Sequence, residues 1–429
     1  MRLSGIIIFS ALFAASLFAK DPKVRQAWVK TYSQKALSIT SDNIGHVVVF
    51  GSEVDESGTP TNSSPIFLLN SHGRRLASVA VPFTNGVSVD VKADKAGRIF
   101  TSPFSWRTSQ VQCAAFSARL SKLLWSKDRI VSVPNGTEAY PVSASVQQLI
   151  PDETGGAHLF GACSLAGNPG FFVAPFDAAD AKPTAFWFPL RDGYWRSVGN
   201  FVRSPNGTFY GIGEVSVLYV SAPILLTYVS GEPRFGISEQ RPGPPSSRWY
   251  NTVTCDSDTN LVFGGGYKNE AFYRSVSQCL IEKRSPDLGY TWSVTHESGY
   301  FANVHSVAVD RQKNVIVLCS HGLTKYTPDG QMLWQTSENG LTFRVNRRGN
   351  IFLLQEISDE SGIETPLITK LGPDGERVWQ IQPSDGEATE SSYASGLVCD
   401  DKGGICVAVQ SSQATKIMRY VERGPNRDR

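Results

Sequence analysis

A short turn followed by an apolar strand recurs eight times along the 429-residue chain, and this repeat constrains the fold more than any other feature. Each copy places Asp, Asn or Gly in the turn and Val, Ile or Phe in the strand, as in SDNIGHVVVFG and DDKGGICVAV. The steps between copies are 52, 58, 52, 53, 53, 36 and 54 residues, counted from Gly45, Gly97, Gly155, Gly207, Asn260, Lys313, Gly349 and Gly403. Self-similarity at a period of about 50 residues indicates a repeat architecture.

A second recurring stretch adds two more strands to each repeat. Residues 323–335, LTKYTPDGQMLWQ, return 45 residues later as ITKLGPDGERVWQ at residues 368–380. In the Pro-Asp-Gly turn, Pro presets φ and Gly accepts a positive φ, so the turn joins two antiparallel strands. Because a short strand also precedes each anchor, the pattern predicts four strands per repeat.

Four-stranded repeats of this length predict an all-β chain folded as a single β-propeller. Eight anchors favour eight four-stranded blades, and seven blades is the alternative. The last repeat ends without its tryptophan strand, whereas RQAWVKTY at residues 25–32 resembles the ERVWQIQ strand and has no repeat before it. We therefore expect an N-terminal strand in the last blade to close the ring and remove an unpaired edge.

Tryptophan marks the expected fourth strand of the repeats. Six of the nine tryptophans fall there: Trp28, Trp125, Trp187, Trp292, Trp334 and Trp379. A large, rigid aromatic at one place in each repeat predicts packing between neighbouring blades and not chemistry. If Trp28 is buried, its replacement by Ala should cost about 3–5 kcal/mol.

The first nineteen residues have the pattern of a secretory signal peptide. Arg2 precedes an apolar run over residues 6–18, which ends in small residues up to Ala19. The run is too short to span a bilayer, so no membrane span is expected. The predicted organisation is a signal peptide at 1–19, a β-propeller at 20–423 and a short tail at 424–429. The mature protein is expected to be a secreted or periplasmic monomer.

Charge and cysteine usage narrow the classes of partner and cofactor. A net charge of +2 gives no electrostatic reason to expect nucleic acid. The seven cysteines include no CxxC pair and the six histidines show no ligand spacing, so no metal site and no cofactor are predicted. Most cysteines are interpreted as small buried apolar residues. A disulfide between Cys399 and Cys406, which flank the turn DDKGGI, is the alternative.

Three further patterns have structural interpretations. DSDTN at 256–260 mimics half of a calcium loop, but Leu261 and Tyr267 stand where Gly and Glu are needed, which favours a hairpin turn. Three consecutive glycines at 264–266 indicate a β-bulge and not an anion-binding loop. The acidic stretches 53–60 and 358–366 are interpreted as hairpin tips, with a shared cation site as the alternative.

The two Pro-Asp-Gly…Trp copies resemble the repeats of secreted bacterial β-propellers of the pyrroloquinoline-quinone-dehydrogenase-like type, and the resemblance covers residues 24–421. It implies a propeller fold and an exported bacterial protein, without a particular activity. Quinone enzymes of that group typically carry adjacent cysteines beside the cofactor. This chain has no Cys-Cys pair, so no quinone cofactor is expected.

Arginine and aromatic residues cluster just before the expected inner strands. The candidate ligand-binding residues are Tyr194, Trp195, Arg196, Arg248, Trp249, Tyr250, His305 and Arg344, and Tyr140 and Tyr393 stand at comparable places. In a propeller, these connections surround one mouth of the central channel. Arginine beside aromatic residues is typical of binding hot spots, and guanidinium groups suit carboxylates. The alternative is that these side chains plug the channel.

These observations favour a non-enzymatic exported propeller that uses one face to bind a protein or a polysaccharide. No GxSxG, HExxH or GxxxxGK[ST] motif is present. The alternative is a carbohydrate-active hydrolase or lyase whose acids come from the loops, and a pair of buried carboxylates at the channel mouth would favour it.

Overall fold

The computed structural model describes residues 24–32, 35–42, 45–52, 63–82, 87–104, 110–135, 138–141, 143–165, 168–177, 186–187, 194–217, 220–229, 232–236, 246–269, 277–297, 302–359, 361–383, 391–400, 403–411 and 414–422. Throughout these ranges the regular secondary structure is β-strand. The expected signal peptide and the C-terminal tail lie outside them.

In chain order the strands are β1 (Val24–Tyr32), β2 (Lys35–Ser41), β3 (Val47–Ser52), β4 (Ser63–Leu69), β5 (Arg75–Pro82), β6 (Val87–Ala93), β7 (Ile99–Phe104), β8 (Gln110–Phe116), β9 (Leu123–Ile130), β10 (Ser132–Asn135), β11 (Glu138–Pro141), β12 (Ser143–Pro151), β13 (Ala157–Leu165), β14 (Asn168–Phe176), β15 (Phe186–Trp187), β16 (Tyr194–Arg203), β17 (Phe209–Val217), β18 (Val220–Val229), β19 (Glu232–Gly236), β20 (Ser246–Cys255), β21 (Leu261–Asn269), β22 (Ser277–Arg284), β23 (Tyr290–Glu297), β24 (Val304–Val309), β25 (Val315–Cys319), β26 (Gly322–Tyr326), β27 (Met332–Thr336), β28 (Thr342–Val345), β29 (Ile351–Ser358), β30 (Glu364–Leu371), β31 (Arg377–Ile381), β32 (Tyr393–Cys399), β33 (Ile405–Gln410) and β34 (Thr415–Glu422).

Thirty-two of these strands form eight antiparallel four-stranded sheets, and β10 and β11 form a separate hairpin. Blades 1 to 7 are β2–β5, β6–β9, β12–β15, β16–β19, β20–β23, β24–β27 and β28–β31. The first strands contact one another in the closed order β2, β6, β12, β16, β20, β24, β28, β32 and back to β2. This order confirms an eight-bladed β-propeller whose first strands surround the central channel. The 36-residue repeat is blade 6, which keeps four strands of five or six residues.

Blade 8 closes the ring with strands from both ends of the chain. Its sheet order is β1-β34-β33-β32, and β1 pairs antiparallel with β34, with Val24 opposite Glu422. The predicted closure by an N-terminal strand is confirmed. The strands β1 and β34 thereby gain each other as hydrogen-bonded neighbours, and neither leaves a long unpaired edge at this place.

The turn between the first and second strands has the same construction in every blade. Each has one residue with positive φ, from Gly45 in blade 1 to Gly403 in blade 8. In most blades, an Asp or Asn three residues earlier accepts backbone N–H groups through its side chain, as Asp256 does from Asn260 at 2.9 Å. This local hydrogen bonding explains the recurrence of Asp and Gly. It also confirms the hairpin interpretation of residues 256–260, where Thr259 and not Asn260 has the positive φ.

The Lys, Pro-Asp-Gly and Trp of the duplicated stretch belong to one contact between neighbouring blades. At the junction of blades 5 and 6, the Trp292 indole N–H donates to the Pro328 carbonyl at 2.9 Å, and the Lys283 ammonium donates to the same oxygen at 3.2 Å. The Trp292 ring lies so close to Gly330 that a Cβ there would approach it to 2.8 Å. Glycine is thus required both for its φ of +85° and for the tryptophan of the preceding blade.

The same contact recurs between blades 6 and 7. The Trp334 indole donates to the Pro373 carbonyl at 3.0 Å, and Lys325 donates to it at 3.1 Å. Lys325 also forms an ion pair with the buried carboxylate of Asp310 at 2.9 Å. One lysine therefore joins the first turn of its own blade to the Pro-Asp-Gly turn of the next. The predicted packing role of the duplicated stretch is confirmed.

Between blades 7 and 8, a carboxylate replaces the proline carbonyl. The Trp379 indole donates to Glu422 Oε1 at 2.9 Å, and Lys370 forms an ion pair with the same oxygen. Burial would raise the pKa of Glu422, but hydrogen bonds from Lys370 and Trp379 outweigh that effect and hold the pKa below its ordinary value. The junction of blades 7 and 8 thus keeps both donors of the repeat, the lysine and the tryptophan.

Trp28 makes the equivalent contact from blade 8 to blade 1 but is only half-buried. Its indole donates to the Ser71 carbonyl at 2.9 Å. The expected loss of stability of about 3–5 kcal/mol for Trp28→Ala assumed a buried side chain. Because Trp28 is only half-buried, the expected loss is smaller. We expect Trp28→Ala to cost about 2 kcal/mol and Trp379→Ala, where the side chain is 2% exposed, to cost about 3–5 kcal/mol. Urea unfolding of both variants measures the difference, and a Trp28→Ala variant as stable as the parent would contradict closure through this residue.

The proposed disulfide between Cys399 and Cys406 is wrong. Cys399 is opposite Ile405 in the β32–β33 pair, and Cys406 is opposite Val398. Side chains alternate between the two faces of a sheet, so this offset of one residue puts the two sulfur atoms on opposite faces. All seven cysteines are thiols that form no disulfide, and five are buried, as the favoured interpretation expected.

Candidate functional site

The channel has two mouths with different constructions. The first strands begin at one mouth, here called the entry mouth, and the first-to-second-strand turns lie at the other, here called the turn mouth. The candidate ligand-binding residues were placed at the entry mouth from their positions before the inner strands. The structure puts them on the first strands β16, β20, β24 and β28.

The first three candidates lie at the beginning of β16. Tyr194 is opposite Ser216, Trp195 is opposite Val215, and Arg196 occupies a bulge in the pairing. Their side chains lie outside the part of the chain that the structure describes, as does that of Tyr140. Their role as ligand contacts remains a prediction.

Arg248 and Tyr250 hold a buried carboxylate inside blade 5. Glu282 is 1% exposed, and the Tyr250 hydroxyl donates to its Oε2. Arg248 pairs with Oε1 at 3.3 Å and Arg284 with Oε2 at 3.0 Å. Burial, reinforced by the adjacent carboxylate, raises the pKa of Tyr250, so its hydroxyl stays protonated and donates. The sequence pattern could not show this network, because Glu282 is on the third strand of the blade.

Trp249 is half-buried and contributes to packing between blades. Its indole donates to Asn303 Oδ1 in the segment before β24 at 3.2 Å. The neighbouring glycines on β21 leave room for it: a Cβ on Gly266 would lie 2.2 Å from the indole ring. The bulge predicted at the three glycines lies opposite them: its extra residue, Asn251, is on the partner strand β20, and the glycines themselves pair in regular register with β22.

Three exposed side chains come from the first strands of successive blades. His305 is the extra residue in a bulge of β24, between Val304 and Ser306. Arg344 on β28 is exposed, and its guanidinium donates to its neighbour's carbonyl at 3.0 Å. Tyr393 begins β32 and is 49% exposed. The structure therefore gives three successive first strands an exposed imidazole, guanidinium and phenol, here called the rim residues, and the Arg344 guanidinium reaches back to the Thr342 hydroxyl at the start of β28.

The turn mouth holds a cavity of about 700 Å³ that the sequence patterns did not indicate. First-hairpin turns of blades 2 to 5 line it, and their charged side chains pair with one another. Glu153 of blade 3 pairs with Lys95 of blade 2 at 3.0 Å and with Arg203 of blade 4 at 3.5 Å. Asp94 and Asp152 accept backbone N–H groups of their own turns. These carboxylates stabilise turns and blade junctions.

A cluster of two thiols and an imidazole lies between blades 5 and 6 and was also missed. The ligand atoms of Cys279, Cys319 and His321 all lie within 4.8 Å of one another. Hydrogen bonding from the Cys279 thiol, aided by His321, lowers the pKa of Cys319 to about 5 although burial opposes the shift. Chain spacing gave no signal, because the blade-5 cysteine is far in sequence from the other two residues. Sulfur and imidazole ligands of this kind are those that zinc prefers.

The second acidic stretch contains a turn in which Asp359 Oδ1 accepts the Ser361 N–H at 2.8 Å, as expected of a hairpin tip. The first, 53–60, lies outside the described residues, so a shared cation site is untested. Across the described part of the chain, no helix is long and apolar enough to cross a membrane.

Comparisons with known proteins find similarity only to the folds of solved structures. No family model matches the sequence, and no curated protein matches it. Similar solved structures include a polysaccharide lyase, with 8% identity, a TM-score of 0.49 and 90% of each chain covered. A prolyl endopeptidase structure has 8% identity and a TM-score of 0.48 over 89% of this chain and 55% of that chain. A puromycin hydrolase has 12% identity and a TM-score of 0.46 over 92% of this chain and 54% of that chain.

The chain thus spans about half the length of the endopeptidase and the puromycin hydrolase. At these identities and TM-scores, the likenesses carry no argument about activity. The fold rests on the strand pairings themselves, which make the chain an eight-bladed β-propeller.

Proposed function

We propose that this chain is an exported propeller, of the pyrroloquinoline-quinone-dehydrogenase-like type it resembles, that binds an acidic polysaccharide at its entry mouth without catalysis. The observation that carries the proposal is that the rim residues, His305, Arg344 and Tyr393, are all exposed and lie on three successive first strands. A guanidinium supplies charged donors for a carboxylate or sulfate, and an exposed phenol supplies a flat contact for a sugar ring.

The candidate residues fall into two groups, and the difference between the groups supports this location. Arg248 and Tyr250 bind Glu282, and Trp249 donates a hydrogen bond to Asn303. These three side chains therefore support the structure of the entry mouth. The rim residues of blades 6 to 8 are exposed, so their polar groups are accessible to a ligand. The sequence analysis also left a protein partner open, and the same rim residues would bind it.

A catalytic role as a carbohydrate-active hydrolase or lyase is the less favoured alternative. That role needs a pair of carboxylates free to exchange protons with a substrate. Among the described residues, the channel-end carboxylates Asp94, Asp152, Asp256 and Asp310 accept backbone N–H groups of their own turns. Glu282 is enclosed by a tyrosine and two arginines.

The test is retardation of the protein in native gels containing alginate or chondroitin sulfate. We expect Arg344→Ala and His305→Ala to fold like the parent and to weaken binding about tenfold each, because each loses a contact of about 1.4 kcal/mol. The matched control is Arg311→Ala, an exposed arginine at the turn mouth, which should bind like the parent.

Two outcomes would contradict the proposal. The first is that neither polymer retards the parent in the gel. The second is that the Arg311→Ala control loses as much affinity as Arg344→Ala. Shortening of the polymer by the parent, measured as new reducing ends or new unsaturated ends, would replace binding with the enzymatic alternative.

A further inference from the structure

The thiol–imidazole cluster is built by two blades that meet at a buried junction. Cys279 is the third residue of β22, and Cys319 is the last residue of β25. Both belong to the apolar cluster that joins blades 5 and 6, together with Val304, Val317 and Tyr326. Because side chains alternate along a strand, Cys279 shares the face of β22 that contacts blade 6 with Ile281.

A tight hairpin brings His321 beside Cys319. Cys319 pairs with Gly322 across the turn, so Ser320 and His321 form a two-residue loop. Gly322 has a φ of +118°, and a Cβ on it would lie 2.1 Å from the Thr336 carbonyl oxygen. The loop therefore has little freedom, and it places His321 Nδ1 3.8 Å from the Cys319 sulfur.

The distances fit a tetrahedral metal ion. Zinc binds sulfur at about 2.3 Å and nitrogen at about 2.0–2.1 Å, so two ligand atoms at tetrahedral positions lie about 3.4–3.8 Å apart. For one sulfur and one nitrogen the expected separation is about 3.5–3.6 Å. The observed sulfur–nitrogen distance of 3.8 Å is slightly longer, and all three ligand atoms lie within 4.8 Å of one another. Two thiolates and one imidazole select a thiophilic ion and disfavour calcium or magnesium.

A further imidazole close to the cluster, that of His296, already has a partner. His296 is opposite Cys279 on β23, and its Nε2 contacts the Tyr326 hydroxyl. The three-residue set therefore leaves the fourth tetrahedral position for water. Sites with three protein ligands and one open position are common for zinc.

We propose that Cys279, Cys319 and His321 bind one Zn²⁺ ion between blades 5 and 6. Binding displaces the protons of both thiols and forms two sulfur–zinc bonds and one nitrogen–zinc bond, with no change of oxidation state. The ion adds a coordinate link between blades that otherwise meet through apolar side chains, hydrogen bonds and the Lys313–Asp258 ion pair. The link is close to the entry mouth, because the Ser320 hydroxyl donates to Asn303, which also accepts the Trp249 indole.

The experiment uses the full chain, reduced, incubated with Zn²⁺, dialysed and analysed for metal by mass spectrometry. We expect about one Zn²⁺ per parent chain and at least about a tenfold lower content in Cys279→Ser, Cys319→Ser and His321→Ala. The matched control is Cys163→Ser, a buried cysteine of blade 3, which should keep its zinc. His321→Ala changes a half-buried turn residue, so it tests the proposal if the serine variants fail to fold.

Cobalt provides a second readout. Co²⁺ in place of Zn²⁺ should give thiolate charge-transfer absorption in the parent and in Cys163→Ser, and the band should be lost in Cys279→Ser. Zinc should also raise the melting temperature of the parent and leave that of His321→Ala unchanged, since an ion that binds the native state stabilises it.

Three results would overturn the proposal. The first is that the parent holds no zinc after incubation. The second is that the three variants hold as much zinc as the parent. The third is an exported chain lighter by two hydrogen atoms with a peptide that links Cys279 to Cys319, which would show that the sulfur atoms form a disulfide instead.

Discussion

Replacing Lys325 with Met is expected to lower the free energy of unfolding by about 3–5 kcal/mol, because it leaves the buried Asp310 carboxylate without its cation. The Pro373 carbonyl in the next blade loses a donor in the same step. Methionine keeps an apolar stem of similar length, so the loss reports the charge more than the packing. Urea unfolding measures it, and a loss below about 1 kcal/mol would show that the pair is not buried as described.

The chain contains its own control for this experiment. In blade 7 the residue equivalent to Asp310 is Asn346, whose Oδ1 accepts the backbone N–H groups of Arg348 at 3.0 Å and Asn350 at 3.1 Å. Asparagine therefore forms the same turn without a charge. We expect Lys325→Met to cost much less in an Asp310→Asn background than in the parent. Equal costs in the two backgrounds would assign the effect of Lys325 to the Pro373 contact alone.

The fold could be predicted because its determinants are local. Asp and Gly at fixed offsets specify the turns, and apolar residues beside them specify the strands, so the repeat reports the blade without long-range information. The Lys, Pro-Asp-Gly and Trp positions recur because Lys325 and Trp334 meet one carbonyl of the next blade. Because the same contact recurs at successive blade junctions, the same residues recur in successive blades.

Register was harder to predict than topology. The turn beginning at Asp400 closes with a hydrogen bond from Gly404 N–H to the Asp400 side chain, and it pairs Cys399 with Ile405. A loop one residue longer, 400–405 in place of 400–404, would have put the two cysteines opposite each other. Sequence spacing alone could not decide between these registers.

The directions of the site side chains were also beyond the sequence. Tyr250 and His305 both lie on first strands near the entry mouth, but Tyr250 is buried against Glu282 and His305 is exposed in a bulge. A bulge adds one residue and shifts the alternation of side chains, so a simple count from the strand start fails. The thiol–imidazole cluster depends on the junction of two blades, and neither blade indicates it alone.

The Glu282→Ala variant should be among the least stable of single variants, with a loss of about 3–5 kcal/mol. It removes the carboxylate that Arg284, Arg248 and the Tyr250 hydroxyl all contact. Arg248→Ala should cost only about 1 kcal/mol, because that guanidinium is 36% exposed and water partly replaces its partner. Thermal or urea unfolding of both variants checks the ranking, and similar losses would contradict the description of Glu282 as the buried centre of the network.

This ranking decides how binding data at the entry mouth can be read. A loss of affinity in Arg248→Ala combines the loss of a possible ligand contact with a disturbance around Glu282. Arg344→Ala has no such buried partner among the described carboxylates, because its guanidinium bonds to the Phe343 carbonyl and the Thr342 hydroxyl. If Arg248→Ala weakens polymer binding while Arg344→Ala does not, the binding surface lies over blade 5 and the rim of blades 6 to 8 is not the site. If both weaken binding and only Arg248→Ala lowers stability, the contact surface extends across the mouth from blade 5 to blade 7.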